Sequence, residues 1–376
     1  MTLDEVRREI DAVDNQLISL LVRRMSYSEE VAAIKQREHL PVLNTAREEE
    51  ILRQVGEKGG RFGGALQTVY SNIMSVSRAL QHEQLHSGEI LRAVILNASR
   101  KAPAQPCRVV CQGVEGAYSS RAARRVFPGC TPVFTTHFED VFRSIENNSA
   151  DFGILPVENS SAGSVSDVYD LLLKYRFSIV GGVDVKISHC LAASPGTRFA
   201  QIRTVYSHPQ GIRQCSEYLE KNHLPTQIYS NTAAAAEMVA GSREPLAAIC
   251  SREAAERCGL SILAEDIQNS GDNCTRFIVI ARELRIPPDA DKIGLCFSLP
   301  HITGSLYSTL ARFAVRGLNL TKIESRPIPG RNFEYFFYLD FTGNVLQSPE
   351  VLDLVCALSE ELPDFSFLGN YKELGV

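Results

Sequence analysis

The chain has 376 residues and a formal net charge of −5, with a pI near 6.0. That is length for two or three domains, and the mild acidity excludes a nucleic-acid-binding footprint. Ten cysteines occur without a C-x-x-C pair and eight histidines without clustering, so a structural zinc site is excluded and no metal or cofactor is expected. Free thiols at this density suit a reducing cytosol. The N-terminus is charged from Asp4 on, unlike a signal peptide. No apolar run is long enough to span a membrane.

Residues 1–88 read as helices. No proline precedes Pro41 and no glycine precedes Gly56. The pattern is helical from Leu3 to Lys35, with Val6, Ile10, Val13, Leu17 and Leu20 in a heptad-like 4-3-4-3 spacing. A helix of that length spans about 50 Å, more than a small domain covers, so a helical partner copy is expected. The seam then turns cationic, through Arg24, Ser28, Val31 and Lys35. Arg24 and Lys35 lie about 20° apart around the axis. Two inward cations require an anion, whereas two snorkelling surface cations do not. Arg7 sits about 25 Å along the same axis. It reaches such an anion only from a second subunit; otherwise it is a solvated first-turn charge. After a turn at His39–Leu40–Pro41, Asn44 or Thr45 caps a second helix, with Thr45 and Glu48 fitting a capping box. A glycine-rich loop, Gly59 to Gly64, leads to a third helix with Leu66, Tyr70 and Ile73 inward, where Ser77 and Gln81 continue the face at i, i+4.

On these residues the segment resembles the all-helical, AroQ-type chorismate mutases. The resemblance implies a pocket of Arg7, Arg24, Lys35, Arg47, Glu48, Ser77 and Gln81, with Asn44 where the family commonly has Asp. It also implies a homodimer, or a higher homo-oligomer, in which Arg7 crosses into the partner's pocket. The chorismate rearrangement is unimolecular and needs neither nucleophile nor proton transfer. A compact dicarboxylate conformer must be held and charge on the breaking ether oxygen stabilised. Arginines grip the carboxylates, and Lys35 and Gln81 are the donors expected at the ether oxygen.

Glu89 to Leu96 reads as one more helical piece, and Ala98 to Pro106, with Pro103 and Gln105, as a hinge; residues 89–106 are the linker. Residues 107–284 alternate short apolar runs with helical patterns, an α/β arrangement. Strands are expected at Arg108–Gln112, Asp151–Val157, Ser178–Val183, Val185–Ser194, Thr204–Tyr206, Leu246–Cys250 and Phe277–Ala281. Pro156 places its strand at an end or edge. The hydroxyl-rich Glu158–Ser164 loop before a Val165–Tyr175 helix is either a seat for an anion or an ordinary turn with a serine cap. Polar loops at strand ends suggest a ligand cleft between two lobes.

Three segments in order, Glu158–Asn159–Ser160, Ser207–His208–Pro209–Gln210 and Asn273–Cys274–Thr275–Arg276–Phe277, resemble prephenate dehydratase. In the first glycine loop the family's usual proline and hydroxyl residue are Val114 and Ala117 here, leaving Tyr118 and Ser119. The resemblance implies loss of CO2 and hydroxide from prephenate, with Thr275 as the catalytic hydroxyl. Asn159, Ser160, Ser207 and Gln210 are implied substrate contacts. Arg276 either holds a carboxylate or forms a structural ion pair. Glu158 is catalytic or couples the lobes. His208, before a proline, reads as a turn residue rather than an acid.

Residues 291–376 follow a βαββαβ order, a ferredoxin-like α+β unit, with a hairpin at Pro329–Asn332. Glu324–Ser325–Arg326–Pro327 and Gly304–Ser305–Leu306–Tyr307 resemble the two phenylalanine-site motifs of an ACT domain. That implies an allosteric L-phenylalanine site at Gly304, Ser305, Leu306, Glu324, Ser325 and Arg326. The chain as a whole is expected to be multidomain and cytoplasmic. It would take chorismate and then prephenate as substrates, with phenylalanine as feedback effector. A non-catalytic aromatic-metabolite sensor and an arogenate dehydratase are the competing readings.

Overall fold

The computed structural model describes residues 1–103, 106–301 and 304–376. Gln105 of the expected hinge lies outside them. Two compact units form: residues 1–97 with 292–367, and residues 98–291 with 368–376.

In the first unit α1 (Leu3–Glu38) is a single 36-residue helix, started by a Thr2–Glu5 capping box. It packs on α3 (Gly63–Leu85), which also receives α2 (Thr45–Lys58). Asn44, not Thr45, caps α2, its side chain accepting the Arg47 amide at 3.0 Å. The Thr45–Glu48 box therefore does not form, because Thr45 is already inside the helix. The buried face of α3 includes Met74, Ser77 and Gln81, while Leu66 stays exposed. The stripe Ile10, Val13, Leu17 and Leu20 of α1 is about half exposed in the single chain. The short α4 (Glu89–Leu96) follows the expected helical piece.

The second unit holds two sheets. The first has strand order β16-β5-β11-β3-β1-β2, built from β1 (Val109–Gln112), β2 (Val133–Thr135), β3 (Phe152–Asn159), β5 (Ser178–Lys186), β11 (Cys274–Ala281) and β16 (Glu373–Leu374). The two-residue β4 (Gly163–Ser164) folds back on β3. Helices α5 (Tyr118–Val126), α6 (Phe138–Glu146) and α7 (Ser166–Tyr175) complete this lobe. Its apolar core joins Val109, Cys111, Phe152, Ile154, Val183, Phe277 and Val279. Pairing of β3 with β1 ends at Ile154, so Pro156 lies where one flank of the strand is already free. A Cβ on Gly153 would stand 2.6 Å from Val141 Cγ1, so α6 can approach β3 only over a glycine. No serine side chain caps α7, whose first turn follows Val165.

The second sheet runs β10-β6-β9-β7-β8, from β6 (Cys190–Ala193), β7 (Thr204–Ser207), β8 (Thr226–Ile228), β9 (Leu246–Cys250) and β10 (Ser261–Ala264). Around it lie α8 (Pro209–Gln214), α9 (Ser216–Lys221), α10 (Thr232–Ala240) and α11 (Arg252–Arg257). The chain crosses between lobes twice, after β5 and before β11. The 274–281 strand begins three residues earlier than expected, so Thr275 and Arg276 sit on it rather than before it. Part of the expected hinge is anchored: Ser99 bridges Arg285, and the Ile286 amide donates to the Ser99 carbonyl at 2.9 Å.

The C-terminal segment is β12 (Lys292–Ser298), α12 (Ser305–Ala314), β13 (Leu320–Pro327), β14 (Tyr335–Thr342), α13 (Pro349–Glu361) and β15 (Ser366–Tyr371), with strand order β13-β14-β12-β15. Gly304 begins α12 at a φ of 86°, a conformation that favours glycine. Among the described residues, no helix is long and apolar enough to cross a membrane, and all ten cysteines are free thiols.

Candidate active sites

The cationic seam of α1 closes a small cavity of about 270 Å³ against α2 and α3. Arg24, Ser28 and Lys35 line it from α1, Asn44, Arg47 and Glu48 from the start of α2, and Ser77, Arg78 and Gln81 from α3. Ser28 and Ser77 share a 2.6 Å hydrogen bond. This contact draws α1 and α3 together where bulkier side chains would fill the space. Lys35 donates to the Val42 carbonyl at 2.5 Å. Burial lowers its pKa, and Glu48 pulls the other way. Nη1 of Arg24 and Oε1 of Gln81 are buried with no hydrogen-bond partner among the described residues. Arg47 is half turned to solvent on Glu50 at 2.7 Å. Among the described lining residues Glu48 is the sole carboxylate, and Arg78 holds it. Arg78 escaped the sequence reading; it lies beside Ser77 but off the i, i+4 face. Arg7 is exposed, pairs with Asp4 at 3.5 Å and does not line this pocket in its own chain.

The second site lies in the other unit. Antiparallel pairing sets Thr275 opposite Asn159 and Arg276 opposite Glu158. Successive strand residues face opposite sides, so the two pairs part company. On one side Asn159 Nδ2 donates to Thr275 Oγ1 at 2.8 Å and to Asn273 Oδ1 at 2.9 Å. Its Oδ1 accepts the backbone amides of Ser161 at 3.1 Å and Ala162 at 3.0 Å. Gln214, from α8, donates to Ser161 Oγ at 3.0 Å, and its Oε1 lies 2.9 Å from His189 Nε2. His189 sits in the β5–β6 crossover, and burial lowers its pKa, which keeps the imidazole neutral. Tyr118 reaches the same junction, donating to the Ser188 carbonyl at 2.7 Å. Ser119 donates to the Gln112 carbonyl at 2.6 Å.

Ser161, Ala162, Gln210, Arg213, Gln214, Gln268, Asn269, Ser270 and Asn273 line a cleft of about 430 Å³ here. Gln210, an expected substrate contact, lines this cleft. Gln214, on the same face at i+4, and Arg213 were missed. Ser160 pins the strand entrance, accepting the Cys274 amide at 2.9 Å. Two expected contacts are not assembled. Ser207 is fully buried and donates to the Ile249 carbonyl at 2.8 Å, so its hydroxyl is already committed. Arg276 lies on the opposite strand face, among Asp184 at 3.1 Å, Glu373 at 2.8 Å and Glu158 at 3.5 Å. Burial opposes its charge, but these carboxylates outweigh burial and raise its pKa. It is a structural ion-pair centre rather than a free carboxylate receptor, and Glu158 belongs to the same lattice. His208 serves as the N-cap of α8.

Ser305 and Leu306 line a third cavity of about 460 Å³ with Phe333, Tyr335 and Phe337. Glu324, Ser325 and Arg326 lie on β13, at the edge of its sheet.

The family model "Prephenate dehydratase" matches residues 109–285, and "Chorismate mutase type II" matches residues 6–82. A bifunctional chorismate mutase/prephenate dehydratase of Enterobacter agglomerans is 33% identical over 380 residues, covering 99% of this chain and 96% of that protein. The arogenate dehydratase/prephenate dehydratase 2 of Arabidopsis thaliana is 40% identical over 277 residues, covering 70% of this chain and 72% of the relative. Among solved structures, prephenate dehydratase from Arthrobacter aurescens in complex with L-Phe superposes with a TM-score of 0.65 at 31% identity, covering 70% of this chain and 89% of that one.

Proposed function

Since the chain belongs to the family of bifunctional chorismate mutase/prephenate dehydratases, which rearrange chorismate to prephenate and convert prephenate to phenylpyruvate, we propose how its own residues divide that work. Residues 1–88 form the mutase, 89–106 the linker, 107–284 the dehydratase and 291–376 a ferredoxin-like ACT unit. The observation that carries most of this reading is the buried Nη1 of Arg24, without a hydrogen-bond partner among the described residues, in a pocket rich in cations. A dicarboxylate is the ligand that such a pocket matches in charge. Arg24 and Arg47 take carboxylates, and Lys35 donates to the breaking ether oxygen. The Gln81 amide completes that end of the pocket. Glu48 accepts from the ring hydroxyl, since a carboxylate is repelled by the substrate's own carboxylates. Asn44 supports the same hydroxyl end. No group needs to take a proton; the rate comes from a fixed conformer and a preorganised donor set.

In the dehydratase cleft Thr275 donates to the departing ring hydroxyl and aromatisation drives loss of CO2. Asn159, Ser160 and Gln210 frame the substrate. The cleft lining contains Arg213 and, among its described residues, no carboxylate. That charge balance favours the keto acid prephenate over arogenate, whose ammonium would lack a partner. Neither step calls for a cofactor, and the ten free cysteines support a cytoplasmic setting.

The exposed α1 stripe supports a homodimer or larger assembly in which Arg7 enters the partner's mutase pocket. Mixing decides this. Arg7→Ala and Arg24→Ala chains, each inactive as mutase, regain activity when refolded together, because half the dimers are mixed and each mixed dimer keeps one intact site. About a quarter of wild-type activity is expected from that statistics; no recovery removes the crossing arginine.

Feedback is placed at Gly304–Leu306 and Glu324–Arg326, supported by the aromatic cavity beside Ser305 and by the phenylalanine complex of the similar dehydratase. The test of the whole reading is the wild-type chain assayed on chorismate and on prephenate, with and without phenylalanine. Both conversions proceed, and phenylpyruvate formation falls as phenylalanine rises. Flat activity up to millimolar phenylalanine removes the effector site, and absence of either product removes that catalytic half.

A further inference from the structure

α13 ends in Glu360–Glu361 with no basic residue in its last turn. Carboxylates there stand against the helix dipole, so something outside the helix must hold them. The Glu361 side chain is buried, and its partners come from two other helices. Arg78 and His82 of α3 lie at 3.2 Å and 2.6 Å, and Arg312 of α12 lies at 2.9 Å. Burial works against the charge, yet the His82 hydrogen bond and the two guanidinium groups hold the carboxyl at about 2. The neighbouring Glu360 takes the Gly88 amide at 2.5 Å. Arg78 is the shared member. One end of its guanidinium is on Glu361 and the other is on Glu48, inside the mutase pocket. Burial opposes the Arg78 charge, and Glu361 followed by Glu48 raises its pKa above the ordinary value.

We propose that Glu361, carried by the C-terminal βαββαβ segment, is a positioning residue for the mutase reaction: through Arg78 it fixes the Glu48 carboxylate that receives chorismate's hydroxyl. The inference rests on the mutase reading of the α1–α3 pocket. Two guanidinium groups, Arg78 and Arg312, balance two carboxylates, Glu48 and Glu361. Removing the Glu361 charge frees Arg78 to follow Glu48 or to swing toward a substrate carboxylate. The mutase pocket is therefore complete only when α13 is docked.

The experiment is steady-state mutase kinetics on the full chain carrying Glu361→Gln, with dehydratase activity on supplied prephenate as the control for folding. The expected result is a rise of about tenfold in mutase KM with a smaller change in kcat, because the Glu48 contact is made equally in ground and transition states. Dehydratase kinetics stay at wild-type values. The same KM rise is expected in Glu361→Gln/Arg312→Met, which restores charge balance but leaves Arg78 untethered. In an Arg78→Met background Glu361→Gln adds nothing, since it acts through that residue. A wild-type KM in a folded Glu361→Gln chain overturns the proposal. So does recovery of KM in the charge-balanced variant, or an undiminished Glu361→Gln effect without Arg78. Arg24→Ala run alongside separates the two levels: if it leaves mutase intact the pocket reading fails, and if it cripples mutase while Glu361→Gln is silent only this inference fails.

Discussion

Thr275→Ala is expected to turn chorismate into prephenate at the wild-type rate and to stop there. The argument begins with the Asn159 amide. Its Oδ1 receives two backbone N–H groups, from Ser161 and Ala162, which can only donate. The amide therefore cannot be flipped, and Nδ2 must face Thr275 Oγ1, which accepts at 2.8 Å. With its oxygen so engaged, the threonine hydroxyl has its own proton to give, and the leaving hydroxide is the acceptor the reaction supplies. A threonine is too weak an acid to protonate outright. It acts as a preorganised donor, and removal of one such donor costs about 10²- to 10³-fold in kcat. Thr275→Ser, which keeps the hydroxyl, should lose much less. Strand β11 pairs with both β3 and β5, so a smaller side chain at its first turn of pleat leaves the lobe folded. Following prephenate and phenylpyruvate by ultraviolet absorbance checks the result. More than a tenth of wild-type dehydratase activity in Thr275→Ala, or a parallel fall in mutase, contradicts it.

Much of this arrangement could be read from residue order. The uninterrupted α1, the βαββαβ tail and the alternating α/β middle follow from hydrophobic period and from where glycine and proline fall. Helical spacing on α1 and α3 showed a seam that turns polar, and the resemblance to a known family supplied the rest of the expected mutase pocket. The dehydratase resemblance was legible only as a set of segments. Glu158–Asn159 and Thr275–Arg276 each look like one polar pair, and sequence order gives no sign that they lie opposite one another. Once paired, the two-residue period of a strand puts Asn159 and Thr275 together on one face and sends Glu158 and Arg276 to an ion-pair lattice with Asp184 and Glu373 on the other. Recognising both segments as strand would have put Arg276 and Thr275 on opposite strand faces without coordinates. Gln214 carried a weak signal, four residues after Gln210 on one helix face. Arg78 and Glu361 carried none, because their meaning lies in a contact across 283 residues of chain.

The mirror experiment is Arg24→Ala, expected to lower mutase activity by about 10²- to 10³-fold while dehydratase activity on supplied prephenate stays at wild-type level. The pocket's other cations are largely engaged. Arg78 is held by Glu48 and Glu361, Arg47 leans on Glu50, and Lys35 donates to the Val42 carbonyl. Of the four cations lining the pocket, Arg24 is the one with a buried N–H that finds no partner among the described residues. It is therefore the group with most to gain from a substrate carboxylate, and truncating one side of such a buried charge pair costs roughly 2–5 kcal/mol. The same fact fixes the sign of the stability change. Leaving one buried guanidinium N–H without a partner is unfavourable in the ligand-free chain, so Arg24→Ala should melt no lower than wild type. A loss of stability together with a loss of both activities would mean that Arg24 supports the fold. Mutase activity above a tenth of wild type would mean that the carboxylate is held elsewhere, and the cationic seam of α1 would then need another anion to explain it.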